Sequence, residues 1–412
     1  MKKGFVMLFA ILSLLAGSIS DAQEKKLLSL EEAINTALEN NPGITVSNAD
    51  IEISRALVRN SKAPYYPEIK SRIVVPFIGR ESGFFLDQMI WDFGRTSNRV
   101  KSSKAQLKSS RYNKETTKDN IILNTITSYY TVLSQKHLKE AYEKKVTEFE
   151  KRLDRAEGFL KAGRASQIEV TKAEVSLGNA RLELLAAEND LETAKLNLMA
   201  AMGIEGDFDF ELADSVKYGT EEFNLRDSID KALESRSELK SLEAREAAMR
   251  ANLDAAKKEF YPLIFGRTAY RFEGEGAETP GFIAGIGLQF PIFEGFSRFA
   301  DVQDARANLT RVSAEIEKAR TDILSEVKQL HLELNLAEEN IEVTERTRNS
   351  TQESLMLARE RYRLDRASEV ELAEAESLYA STNATYMQAL YNFNITAARL
   401  ERAIGDFDEY DK

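Results

Sequence analysis

The chain has 412 residues, of which 43% are apolar and 30% charged, with no cysteine and only two histidines. The absence of cysteine excludes a disulfide framework, a thiolate zinc site and a cysteine nucleophile. The net charge of -11 argues against a nucleic-acid partner, because phosphate binding depends on clustered lysine and arginine. We therefore predict no enzyme activity and no metal or cofactor, and the 7 prolines indicate long uninterrupted elements.

The N-terminal segment has the pattern of a secretory signal peptide. The basic pair Lys2-Lys3 precedes an apolar run over residues 4–16, and small residues follow, among them Ser20 and Ala22. The run is shorter than the roughly 20 residues that a membrane-spanning helix needs, so a signal peptide is favoured over a membrane anchor. We predict a signal peptide over residues 1–22, cleaved after Ser20 or Ala22.

The remaining chain is predicted to be a tandem duplication. Residues 30–38 match residues 225–233 at a separation of 195, and Tyr66-Pro67 matches Tyr261-Pro262 at the same separation. Farther along the separation becomes 202, because the second copy carries seven more residues. The pairs at this separation are Trp91-Asp92 with Phe293-Glu294, Arg164-Ala165-Ser166 with Arg366-Ala367-Ser368, and Gly203 with Gly405. We predict two repeats, 23–205 and 223–412, joined by a linker over 206–222.

Each repeat contains long helices with a regular apolar stripe. Steps of three and four alternate from Val170 to Ala201 and again from Leu372 to Ala403, which is the 3.5-residue period of coiled coils. Residues 95–161 contain no proline, so a helix of that extent would be about 100 Å long at about 1.5 Å per residue. A helix of this length is not expected in a compact globular domain. An additional stripe in the second repeat runs from Ile316 to Tyr362.

Between the helices of each repeat lies a segment with strand periodicity. Phe282, Ala284, Ile286, Leu288 and Phe290 lie on one face, with Gly285, Gly287 and Gln289 on the other, over about the length of a strand that crosses a bilayer. We predict strand pairs over about 67–91 and 262–293, with aromatic residues at both ends that suit membrane interfaces. Two hairpins packed on a soluble core are the alternative, but the rod-like helices leave no obvious core for them.

This arrangement resembles the TolC family of outer-membrane efflux channels. The resemblance rests on the duplication, on Trp91-Asp92-Phe93-Gly94 and Pro291-Ile292-Phe293-Glu294-Gly295, and on the tip turns 163–170 and 365–372. It implies a mainly α fold with a transmembrane β-barrel: a homotrimer with a shared twelve-stranded barrel in outer-membrane lipid and an α-helical tunnel in the periplasm of a Gram-negative bacterium. It also implies a periplasmic adaptor protein and an inner-membrane pump of RND or ABC type as partners, for drug efflux or type I protein secretion.

Elementary physics supports the trimer. Four strands cannot close a barrel, and an open sheet would expose unpaired N–H and C=O groups to lipid at several kcal/mol each. Chains must therefore share a barrel. Two chains would give eight strands, whose interior is just filled by side chains, whereas three give twelve strands and leave room for a pore.

The tip that follows the second long helix supplies the candidate gate residues. Glu371 and Glu374 are three residues apart, hence neighbours on one helix face, and they match the acidic ring of the family's periplasmic aperture. Three chains would then place six carboxylates around one cation-selective opening. The alternative is two ordinary solvated glutamates.

Further gate and docking positions are implied by the same resemblance. Tyr362 matches a gate tyrosine and Glu169 its acidic partner in the neighbouring hairpin, while Arg366 lies one position from the family's gate arginine, whose place Ala367 takes. Adaptor docking is assigned to the two tip turns, with Asp365 where the family usually has glycine. The docking positions are Gly163, Arg164, Ala165, Ser166, Asp365, Ala367 and Ser368.

A second class of function stays open at this point, namely a periplasmic coiled-coil adaptor or scaffold without its own pore. Such adaptors carry a lipoyl-like β domain around a single helical hairpin, so the two bilayer-length strand pairs favour the channel. An enzyme is the weakest class, because His137 and His331 are not related by the repeat and neither has a second ligand at metal-like spacing.

Overall fold

The computed structural model describes residues 26–73, 83–206, 210–214, 223–271 and 281–407. The predicted signal peptide, the turns of both strand pairs and most of the predicted linker lie outside these ranges. The helices are α1 (Leu30–Asn40), α2 (Pro42–Ser61), α3 (Arg95–Lys161), α4 (Gln167–Met202), α5 (Leu225–Ser235), α6 (Ser237–Lys258), α7 (Ser297–Arg363) and α8 (Glu369–Ile404). The strands are β1 (Lys26–Leu28), β2 (Glu68–Arg72), β3 (Gly83–Trp91), β4 (Phe210–Leu212), β5 (Leu263–Arg271) and β6 (Gly281–Gln289).

Helices dominate the fold, as predicted. α3 and α7 each contain 67 residues and so extend for roughly 100 Å at about 1.5 Å per residue. α4 and α8 contain 36 residues each and return along them. In the parts of the chain that the structure describes, every helix is too short or too polar to act as a membrane span.

The four longest helices pack side by side in the order α4, α3, α8, α7. α6 packs on both α3 and α7, and α2 packs on α3. The row therefore has two outer helices, α4 and α7. Each presents apolar side chains on its outward face: Ile168, Val175, Leu182, Leu185 and Leu196 on α4, and Leu332, Leu336, Val343, Met356 and Leu357 on α7.

The predicted stripe on α4 is the face that packs against α3. Ala187 is 2% exposed and Ala194 5% exposed, and small side chains at these places let the two helices approach closely. Ala173 and Leu184, also in the predicted stripe, are only partly buried. In α7 the predicted stripe is buried as far as Leu355, whereas Tyr362 is 42% exposed, because few residues of α8 remain to cover the last turn of α7.

The four long strands form one antiparallel sheet in the order β2-β3-β5-β6. Glu68 pairs with Asp87, and Leu263 pairs with Gln289. These two pairs are equivalent under the separations of 195 and 202 residues, so the strand registers agree with the sequence duplication. One face carries the apolar series that ends at Leu288, and the other carries charged residues, among them an ion pair between Arg267 and Asp87 at 2.6 Å.

A second sheet consists of the parallel strands β1 and β4. β4 lies within the segment predicted as a linker. The hydroxyl of Tyr129 lies 2.7 Å from the carbonyl oxygen of Ala213 and 3.0 Å from that of Leu28, so its single hydrogen is shared between the ends of the two strands. Tyr391 of α8 donates a hydrogen bond of 2.8 Å to Asp214. We call these contacts the waist tether, because they fix the linker to the middle of α3 and to α8.

An ionic cluster around the buried Arg236 links α6, α7 and α8 in the second repeat. Arg236 is 5% exposed and donates hydrogen bonds to Glu238 at 2.9 Å and to Glu326 at 2.5 Å. Arg402 pairs with the same two carboxylates. Near this cluster, burial raises the pKa of Asp119 on α3 to about 6, an effect that the nearby Arg402 partly offsets and Glu238 reinforces.

The raised pKa of Asp119 makes stability depend on pH. Because the folded chain holds this proton more tightly than the unfolded chain, stability is lost as the pH rises from about 4 to about 6. We expect Asp119→Asn to unfold at a higher temperature than the wild type at pH 8, and at the same temperature below pH 4. Solvent around this partly exposed group limits the difference to about 1 kcal/mol. Thermal melts across this pH range measure it, and a difference that persisted at low pH would contradict it.

Candidate functional site at the helical tips

The two tip turns share one backbone geometry. The N–H of Arg164 donates to the carbonyl of Phe159 at 2.8 Å, and the N–H of Arg366 donates to the carbonyl of Arg361 at 2.8 Å. Both bonds close the left-handed turn that commonly ends a helix. Gly163 adopts φ 70° and Asp365 φ 53° at the equivalent positions. Aspartate is among the few residues that tolerate this region, so the departure from glycine at Asp365 leaves the turn intact.

Glu371 is held at the start of α8. Its backbone N–H donates to the hydroxyl of Ser368 at 3.2 Å, and its carboxylate accepts from the backbone N–H of Ser368 at 3.3 Å. This reciprocal pair is a capping box, which satisfies two otherwise unpaired N–H groups. The second oxygen of Glu371 lies 3.1 Å from a guanidinium nitrogen of Arg361 on α7. The carboxylate is therefore oriented at the tip and remains exposed.

Glu374 faces the other hairpin. It forms an ion pair of 3.2 Å with Arg152 near the end of α3. Two further contacts join the same helix ends: Lys151 pairs with Glu369 at 3.6 Å, and Arg155 donates to the hydroxyl of Ser368 at 2.9 Å. We call these three contacts the tip clasp. They connect the first repeat to the second within one chain.

The predicted gate residues Tyr362, Glu169 and Arg366 are not brought together in the single chain. All three are exposed, and the described contacts include no hydrogen bond between the side chains of Tyr362 and Glu169. Arg366 contributes its backbone carbonyl, which accepts a hydrogen bond of 3.3 Å from Arg361.

Sequence reasoning missed the cations of the clasp, which are Lys151, Arg152 and Arg155. The sequence held no local signal for them, because a basic residue near the end of a helix does not show which distant acidic residue it faces. Of the predicted docking positions, Gly163, Arg164 and Ser166 are exposed, whereas Ser368 is engaged in the capping box and the clasp.

Comparison with known proteins decides the family. The family model described as outer membrane efflux protein matches residues 80–204 and 228–406, which is most of the chain. The chain belongs to the outer membrane efflux protein family. The efflux protein is 24% identical to Protein CyaE of Bordetella pertussis over 401 residues, which cover 92% of this chain and 84% of that protein. It is 22% identical to the outer membrane efflux protein BepC of Brucella suis over 356 residues, or 81% and 76% of the two chains.

Solved structures show the same fold. The CmeC outer-membrane channel of Campylobacter jejuni superposes on the efflux protein with a TM-score of 0.77 at 16% identity, covering 93% of this chain and 87% of that chain. The predicted resemblance and the mainly helical fold are confirmed. The efflux protein is an exit duct of the outer membrane that extends into the periplasm, and its family and fold are those of channel proteins. Proteins of this family form trimers and act with periplasmic adaptors and inner-membrane pumps.

Proposed function

We propose that three copies of the chain close one passive duct, with each chain supplying two repeats, 23–205 and 223–412, joined by the linker 206–222. One observation carries the proposal: the described sheet has two unpaired edges, β2 and β6, while its apolar face is exposed. In lipid, unpaired backbone groups at an edge cost several kcal/mol each, so the edges must pair with other chains. Twelve strands from three chains close the barrel and leave a pore.

The helices support the same assembly. The outward apolar stripes of α4 and α7 face no other described helix of their own chain, although each runs along much of the helix. Long apolar stripes on a periplasmic surface would attract other proteins. Packing α4 of one copy on α7 of the next covers both stripes and closes the tunnel wall.

The assembly is tested directly by the mass of the detergent-solubilised protein. We expect the full chain, purified from membranes in mild detergent, to give a particle of three protein chains by light scattering with detergent correction. Heating should convert this particle to single chains. A monodisperse monomer that retained its strand signal in circular dichroism would overturn the shared barrel.

We further propose that the tips form the constriction of the duct and its docking site for a periplasmic adaptor and an inner-membrane pump. Glu371 and Glu374 are exposed at the start of α8, and a threefold axis would bring six such carboxylates around one opening. Carboxylate rings favour cations in a pore. The clasp supports the gating part of the proposal, because it joins neighbouring hairpins at the level of these carboxylates.

Neutralising the acidic pair tests the constriction. We expect Glu371→Gln with Glu374→Gln to reduce cation preference in planar-bilayer recordings. Glutamine at 371 keeps an oxygen acceptor for the cap, so the trimer's melting temperature should change little. Glu360→Gln with Glu342→Gln removes two exposed carboxylates from α7 that pair only within their own helix, and it serves as the control. If the first variant kept the wild-type reversal potential in a salt gradient, these carboxylates would not set selectivity.

A further inference from the structure

We propose that the contacts between neighbouring copies repeat the contacts between the two halves of one chain, with the charge polarity of the helical seam reversed. The inference rests on the proposed trimer and deepens it, because it assigns the residues that meet at each seam. The duplication relates α3 to α7 and α8 to α4 by 202 residues. Each contact between α3 and α8 therefore has a counterpart between α7 of one copy and α4 of the next.

The clasp shows what changes in the helical seam. The counterpart of a residue in α3 lies 202 positions later, in α7, and that of a residue in α8 lies 202 positions earlier, in α4. The counterpart of the pair Arg155 with Ser368 is therefore Leu357 with Ser166. The counterpart of the pair Lys151 with Glu369 is Glu353 with Gln167. The counterpart of the pair Arg152 with Glu374 is Ser354 with Lys172. The side that carries three cations in the clasp thus carries one carboxylate, Glu353, and the side that carries two carboxylates carries one cation, Lys172.

Glu353 and Lys172 are suited to pair across this seam. Both are exposed, and neither forms an ion pair within the described part of its own chain. Glu353 lies beside Ser354, the counterpart position that faces Lys172, and the long lysine side chain spans the offset. Leu357 and Ile168, also exposed, lie at the same level and would cover each other.

The outward stripes continue the same register along the helices. Tyr130 stacks on Tyr391 at the seam within one chain, with ring centroids 5.7 Å apart. The counterpart of this pair is Leu332 with Asn189. Leu336 of α7 and Leu185 of α4 lie about one turn from these positions, so the two exposed stripes come to face each other.

The sheet gives a second, independent register. β3 pairs with β5 through Asp87 opposite Arg267 and Leu86 opposite Thr268. The counterpart of β3, 202 residues later, is β6, and the counterpart of β5, 195 residues earlier, is β2. If β6 of one copy pairs with β2 of the next in the same register, Gln289 lies opposite Arg72 and Leu288 opposite Ile73. The bulged pair Trp91 and Ile264 becomes Phe293 and Ile69. The four apolar side chains of these pairs are each at least 68% exposed in the single chain, namely Leu288, Ile73, Phe293 and Ile69. Such exposure is expected if they are covered only in the trimer.

The reversed charges also disfavour the wrong pairings of helices between copies. If α4 of one copy packed on α3 of the next, Lys172 would face the basic Lys151 and Arg152. If α7 of another copy took the place of α3 on α8, Glu353 would face Glu369 and Glu374. Like charges in both wrong arrangements leave α4 against α7 as the favoured seam between copies.

A charge swap tests the helical seam in the full-length protein. We expect Glu353→Lys alone and Lys172→Glu alone each to lower the temperature at which the purified trimer dissociates. The double variant should recover most of the loss, because the ion pair is restored with opposite sign. Additive losses in the double variant would overturn the pairing of Glu353 with Lys172.

Cysteine crosslinking tests the strand register, and the chain has no native cysteine to interfere. We expect Gln289→Cys with Arg72→Cys to form covalent trimers on mild oxidation in membranes, because residues directly opposite in antiparallel strands have Cβ atoms about 5 Å apart. Gln289→Cys with Ser71→Cys is the control, since a slip of one residue puts the thiol on the other face. A trimer that crosslinks only in the control overturns the register and leaves the trimer itself standing. Absence of any trimer by light scattering overturns both.

Discussion

Ala187→Phe is expected to lower the stability of the folded protein by about 1–3 kcal/mol, because the added ring has no space between α4 and α3. Ala187 is 2% exposed, and the buried side chains Leu191 and Ala194 follow it along the same face of α4. The helices would have to separate locally to admit the ring, which weakens the contacts of the neighbouring turns. The yield of heat-resistant trimer and its melting temperature measure the loss.

Ala186→Phe is the matched control for this experiment. Ala186 is the preceding residue in the same helix and is exposed, so the same substitution adds the ring outside the seam. Changes at exposed positions usually stay within about 0.5 kcal/mol. Equal losses in the two variants would mean that the assigned face of α4 is wrong.

Arg152→Ser with Arg155→Ser is expected to shift the duct towards the open state. These arginines supply two of the three clasp contacts, the ion pair with Glu374 and the hydrogen bond to Ser368. Exposed contacts of this kind contribute up to about 1 kcal/mol each. Losing about 1–2 kcal/mol of closed-state stability multiplies the open-to-closed ratio by roughly 5–30. Single-channel recordings of the fraction of time spent open measure the change.

Arg363→Ser controls for the general loss of positive charge at the tips. Arg363 forms an ion pair of 2.8 Å with Glu360 in its own helix, and this pair does not join the two hairpins. Its removal should leave the open fraction near the wild-type value. If the double variant also kept that value, the clasp would have no part in closure.

The large features of this fold were readable from the sequence because they are periodic. α3 covers the stretch 95–161 that was considered as a single helix, and the stripe from Val170 to Ala201 identifies the packed side of α4. The strands β5 and β6 lie within the strand pair predicted over about 262–293. In each case a local pattern determines the element, since helix and strand periods are set by the backbone itself.

The clasp and the waist tether were not readable in this way. Arg152 and Glu374 are more than two hundred residues apart, and neither has a local pattern that distinguishes it from other charged residues on a solvated helix. β4 has three residues, too few for any period, and it exists because β1 lies beside it. Such contacts depend on the assembled tertiary structure.

The waist tether also provides a fixed point about which α3 can rotate. Tyr129 is held by the ends of β1 and β4, while Lys161 at the end of α3 lies roughly 50 Å away at about 1.5 Å per residue. A rotation of about 5° around the tether therefore displaces the tip by roughly 4 Å, about the length of an ion pair. Small adjustments of packing near Tyr129 and Tyr391 are thus amplified into the making or breaking of contacts at the far end of the helix. In the proposed trimer, such a rotation would change the width of the constriction at the tips.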